Sequence, residues 1–173
     1  MMSDSAEQPR VAPSLVINLR AMTVDDSEML AALVAGQPPD YLAHFTPFAM
    51  SSGEWRARLA AAETDRYWVI VDDGRIAGFC MLRGWDEGYS RPSFGVFVGE
   101  SDRGKGLAKA ALDHAISWCQ SSKSATSMML KVHSGNAAAR SVYEAVGFRD
   151  GGLCADTGHM IMTLDLSDDR HSY

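Results

Sequence analysis

The chain has 173 residues, 46% of them hydrophobic and 22% charged, and a formal net charge of −6. This is the composition of one soluble globular domain whose core needs no disulfides, and its acidity argues against a nucleic-acid partner. No apolar run reaches the roughly 18–20 residues of a membrane span, and Cys80, Cys119 and Cys154 are an odd, scattered set without metal-ligand spacing. Reduced thiols in a cytoplasmic protein are expected, with no metal and no membrane partner.

Residues 1–14 are polar, lack the apolar core of a signal peptide and are expected to be disordered. Leu15–Arg20 reads as a strand. Thr23 opens a helix start of the Thr-x-x-Asp kind, and Met29, Leu30, Leu33 and Val34 form a helical stripe ending at Gly36. Pro38–Pro47 reads as a loop, followed by a helix over Glu54–Ala62 with Trp55 and Leu59 on one face. Tyr67–Val71 and Ile76–Leu82 are strands joined by the hairpin turn Asp72-Asp73-Gly74-Arg75. A loop over 83–92 leads into the strand Ser93–Val98.

The next helix carries Ala108, Ala111, Leu112, Ala115, Ile116 and Cys119 on one face, with Lys105, Lys109, Asp113 and Ser117 on the other. Met128–Val132 is a strand, and a helix capped by Asn136 follows it. Phe148–Cys154 and His159–Leu166 close the domain as a hairpin, and 167–173 is expected to be a flexible tail. The order β-α-α-β-β-β-α-β-α-β-β describes an α/β domain over 15–166, a central mixed sheet flanked by helices.

The junction at 94–109 carries the chemistry. A strand runs through a loop into a helix whose N-terminus holds Gly104 and Gly106, a setting in which backbone N–H groups and the helix dipole favour phosphate. Gly99, Gly104 and Lys105 have Walker A spacing, but Gly106 stands where the magnesium-binding hydroxyl belongs. Lys109 stands where the dinucleotide fingerprint needs its third glycine. The pattern Arg/Gln-x-x-Gly-x-Gly/Ala is met in full by Arg103, Gly106 and Ala108. A second segment, 136–148, fits Asn-x-x-Ala-x-x-x-Tyr-x-x-x-Gly-Phe with Asn136, Ala139, Tyr143, Gly147 and Phe148.

These two motifs together resemble the signatures of the GNAT N-acetyltransferase superfamily, and the resemblance covers 15–166. It implies acetyl-coenzyme A as co-substrate, with Val96, Phe97 and Val98 offering main-chain groups to pantetheine. Arg103, Gly104, Lys105, Gly106, Leu107, Ala108 and Lys109 would hold the pyrophosphate, and Asn136 would contact the coenzyme while capping its helix. Tyr143 matches the tyrosine taken to protonate the leaving thiolate. Some relatives place a glutamate base five positions before the asparagine, and here that position is Lys131, which leaves the base unassigned between His133, another group and water. The loop Trp85, Asp86, Glu87, Tyr89, with His44 as a further candidate, is expected to meet the acceptor. The acceptor is read as a small-molecule primary amine, with an amino sugar or amino acid among the options. Protein N-acetylation and non-catalytic acyl-coenzyme A sensing are the alternatives, and a homodimer stays open.

Overall fold

The computed structural model describes residues 17–43, 45 and 47–167. The expected disordered lead-in, Leu15 and Val16 of the expected first strand, His44 and all but the first residue of the tail lie outside them.

Seven strands form one mixed sheet: β1 (Ile17–Ala21), β2 (Arg66–Asp72), β3 (Arg75–Arg83), β4 (Ser93–Val98), β5 (Ser127–Val132), β6 (Arg149–Leu153) and β7 (Met160–Asp165). They lie in the order β1-β2-β3-β4-β5-β7-β6. Every neighbouring pair is antiparallel except β4–β5. A parallel pair needs a crossover, and the sixteen-residue helix α4 (Leu107–Ser122) supplies it. The β2–β3 turn has Asp73 and Gly74 both at positive φ, 50° and 73°, as a two-residue primed hairpin turn requires.

Period-two alternation sends side chains to two cores. One face packs Trp68, Leu82, Phe94, Met128, Leu130 and Met162 under Leu107, Ala111, Leu112 and Cys119 of α4. The other packs Val69, Phe79, Met81 and Phe97 against Leu30 of α1 (Ser27–Ala35) and Trp55 of α3 (Ser52–Ala61). All three cysteines are free and buried.

The structure departs from the expected loop at one place and adds detail to two expected elements. The expected loop at 38–47 contains a one-turn helix, α2 (Pro39–Leu42), whose Pro39 sits in the first turn, where its missing N–H costs nothing. The Thr23 start opens on a 3₁₀ turn (Val24–Asp26) before α1, with Thr23 N–H donating to Asp26 Oδ2 at 2.7 Å. The final hairpin is irregular, its register shifting between Asp150 and Leu153 where Gly152 takes φ 103°.

Candidate active site

β4 and β5 pair only at Ser93↔Met129 and Phe94↔Leu130, and then part. At one end Met129 N–H donates to the Pro92 carbonyl at 3.0 Å, and at the other Gly99 N–H donates to the Ala77 carbonyl of β3 at 2.9 Å. Strand alternation between these points turns the polar groups of Val96 and Val98 toward the side that β5 has left, and those of Phe97 toward β3. The Val98 carbonyl there accepts from the Tyr41 hydroxyl of α2. Tyr41 also packs edge-on against Phe97 and lies under the Arg103 guanidinium, 5.2 Å from its ring centroid.

Past Val98 the chain makes a 3₁₀ turn (Glu100–Asp102) and enters the glycine loop. Gly104 and Gly106 are both left-handed at φ 78°, and a Cβ on either would meet nothing within 4 Å. Glycine is thus required for the dihedral, and the space beside it is open. Gly106 caps α4, and the intrahelical ladder begins when Ala110 N–H reaches its carbonyl at 3.0 Å. The N–H groups of Leu107, Ala108 and Lys109 precede that bond and have no partner within the helix.

The two lysines of this segment point to protein carboxylates. Lys105 Nζ lies 2.8 Å from Asp102 and 3.3 Å from Asp72, and Lys109 pairs with Asp113 at 2.6 Å. Asp102, only 2% exposed, also takes a bidentate pair from Arg75 at 2.7 and 3.0 Å, and these cations hold its carboxyl down to about 2. The loop is thereby pinned to the β2–β3 hairpin. Gln37 pins it to α1, accepting from Glu100 N–H at 2.8 Å while donating to the Leu33 carbonyl.

The helix α5 (Ala137–Val146) follows β5 on the far side of the gap. Asn136 caps it, its side chain accepting from Ala139 N–H at 3.1 Å. At the other end Gly147, at φ 117°, and Phe148 both donate to the Tyr143 carbonyl. Tyr143 is half-buried, packed against Phe148 with ring centroids 5.8 Å apart. Burial pushes its hydroxyl above the ordinary phenol value, so it stays protonated through neutral pH.

On the sheet face opposite α4 a cavity of about 870 Å³ opens where β4 and β5 diverge. Met81 and Arg83 of β3, Ser93 and Gly95 of β4, Met129 and Lys131 of β5 and Ile161 of β7 form its floor, one face of four strands in register. The β6–β7 turn supplies Cys154, Thr157 and His159, and the 84–91 loop supplies Glu87, Tyr89 and Arg91. Hydrogen bonds from Thr157, helped by the Lys131 charge, lower the Cys154 thiol to about 7. His133 stands beside this wall, its ring 5.7 Å from His159.

The acceptor loop expected from sequence is divided by the structure. Glu87 and Tyr89 line the cavity; Asp86 and Trp85 do not. The Asp86 carboxylate accepts from Glu63 N–H at 3.1 Å and Thr64 N–H at 2.7 Å, and these bonds with the Thr64 hydroxyl hold it down to about 2. Buried Asp65 answers by accepting from the N–H groups of Gly84 and Asp86, so the pair staples two loops together. Trp85 packs toward Trp118 of α4. Arg83, Arg91, Cys154, Thr157 and His159 enter the site without any sequence motif to announce them.

Solved structures share this fold. The chain is similar to a GNAT-family acetyltransferase from Streptococcus pneumoniae (22% identity, 86% of this chain and 98% of that one, TM-score 0.68). It is also similar to the ribosomal-protein-S5-alanine acetyltransferase of Vibrio fischeri (18%, 88% and 94%, TM-score 0.72). A third likeness is to mutant forms of the spermidine/spermine N-acetyltransferase of Vibrio cholerae (17%, 87% and 94%, TM-score 0.72). No curated protein matches the chain in sequence. The acetyltransferase (GNAT) family model matches residues 30–148, and the chain belongs to that family, whose members are acetyl-coenzyme A-dependent N-acetyltransferases.

Proposed function

We propose that the protein transfers an acetyl group from acetyl-coenzyme A to the primary amine of a small molecule, by direct attack in a ternary complex. The observation that carries this reading is the parting of β4 from β5, with an anion cradle at one end and a cavity on the opposite sheet face. Two substrates entering from opposite faces would meet in the gap, and holding them there in orientation is itself a large part of catalysis.

The residues present fit acetyl-coenzyme A. The main-chain groups of Val96 and the N–H of Val98, whose carbonyl already accepts from Tyr41, suit a pantetheine amide, and the space beside Gly104 and Gly106 before the free α4 N–H groups suits a pyrophosphate. Arg103 and Asn136 are the side chains expected to contact the coenzyme beside that path. Lys105 and Lys109 contribute through their amides, since their ammonium groups are held by Asp102, Asp72 and Asp113. When bound, the coenzyme supplies an acetyl group activated as a thioester.

The acceptor amine must be neutral to attack. Lys131 on the cavity floor disfavours a second positive charge nearby and so lowers the amine's pKa. The proton leaves to water in the open cavity. As the C–N bond forms and the C–S bond breaks, the nitrogen gives its remaining surplus proton to water, the Tyr143 hydroxyl gives its proton to the departing sulfur, and the phenolate is reprotonated from water.

Release of free thiol from acetyl-coenzyme A across a panel of amines tests the reading. Tyr143→Phe is expected to lower kcat at least about tenfold while acetyl-coenzyme A binding is unchanged. Binding without thiol release for any amine would make the chain an acyl-coenzyme A-binding domain and overturn the proposal.

A further inference from the structure

The charge around the cavity is opposite in sign to that of the chain. Acids outnumber bases 22 to 16 overall, yet Arg83, Arg91 and Lys131 line this cavity against one carboxylate, Glu87. Even with the Cys154 thiol ionised beside Lys131, the cations are in excess. Elsewhere half or more of the described cations meet acids, as in Arg20–Asp26, Arg75–Asp102 and Lys109–Asp113. Among the described residues no ion pair joins Arg83, Arg91 or Lys131 to any carboxylate.

Each of the two guanidinium groups is positioned by something other than an acid. Arg91 Nε donates to Ser127 Oγ at 3.0 Å. Arg83 lies 5.1 Å from the Phe48 ring centroid, and its buried Nε has no hydrogen-bond partner among the described residues. A guanidinium held by packing and one neutral contact keeps its remaining donors for a planar anion. The coenzyme phosphates are not that anion, because none of residues 103–109 lines the cavity and α4 lies on the other face of the sheet.

Resting on the N-acetyltransferase reading, we propose that the acceptor is an amine that also carries an anionic group, a carboxylate or a phosphate, held by Arg83 and Arg91. Glu87 faces the same space and offers a counter-charge to the ammonium end on arrival, so a zwitterionic small molecule is complementary to the whole lining. A polycation meets three positive charges there and is disfavoured.

The test compares matched acceptors by thiol release from acetyl-coenzyme A, using the full chain. One arm pairs free amino acids with their carboxamides, a second pairs glucosamine with glucosamine 6-phosphate, and spermidine is the cationic control. Hydrogen bonds to a charged group predict a kcat/KM advantage on the order of 10- to 100-fold for the anionic member of at least one arm. The arm that shows it identifies carboxylate or phosphate. Arg83→Gln and Arg91→Gln are expected to erase most of that advantage, mainly through KM, with acetyl-coenzyme A affinity unchanged. Neutral or cationic amines used equally well, an advantage surviving both substitutions, or acetyl-coenzyme A binding without turnover of any anionic amine would overturn the inference. Should a variant fail to fold, the wild-type comparison still decides. Failure to bind acetyl-coenzyme A at all would instead remove the underlying reading, whereas turnover confined to spermidine would leave it standing and remove only this inference.

Discussion

Asp86 and Glu87 are adjacent carboxylates with different work. Asp86 is consumed by the N–H groups of residues 63 and 64, whereas Glu87 looks into the cavity. Asp86→Asn is therefore expected to lower Tm by about 2–4 °C, the effect of losing roughly 1 kcal/mol of exposed hydrogen bonding, with KM for the acceptor little changed. Glu87→Gln should do the reverse, raising acceptor KM while thermal unfolding is unaltered. Thermal melts and steady-state kinetics on the two variants check both halves. A shared phenotype would mean that the loop acts as one unit.

At the scale of elements, the site depends on how β4 is held. Gly78 of β3 lies opposite Val98, and a Cβ there would come within 2.2 Å of the Phe97 carbonyl, a backbone atom that cannot move aside. Gly78→Ala should destabilise the fold by about 1–3 kcal/mol, as overpacking does, and weaken acetyl-coenzyme A binding by displacing β4. Denaturant titration and calorimetry read the two effects. Much of this framework is legible in the sequence. Asp73-Gly74 marks its hairpin, Asn136 and Gly147 mark the ends of α5, and Gly104 and Gly106 mark the turn into α4, because each answers to a local backbone need. What escapes is what depends on contacts distant in sequence: Arg83 and Arg91 reaching one cavity, Asp86 turning to Thr64, and Lys105 turning to Asp102 and Asp72. Pro38 and Pro39 read as loop residues, yet Pro39 starts a helical turn that carries Tyr41 to the edge of β4.

For the whole molecule, the cluster Arg75–Asp102–Lys105–Asp72 joins the hairpin to the glycine loop, coupling stability to the candidate site. The folded state holds the Asp102 carboxyl at about 2, below the ordinary 3.8, so its contribution is complete above about pH 4. That contribution disappears as pH falls from about 4 to 2. Asp102→Asn should cost about 1–3 kcal/mol at neutral pH, and its stability should fall less steeply than that of the wild type over the acid interval. Chemical denaturation at stepped pH measures both.

The proposed function rests on acetyl-coenzyme A lying along the open edge of β4 and over the N-terminus of α4. Calorimetric titration of acetyl-coenzyme A into the wild type and Gly106→Asp tests it most directly. A carboxylate at this position puts negative charge where the pyrophosphate would sit, and its Cβ strains a φ of 78°. A loss of affinity on the order of tenfold or more is expected, in a variant whose circular dichroism spectrum stays native. Wild-type affinity in a folded Gly106→Asp variant would contradict it.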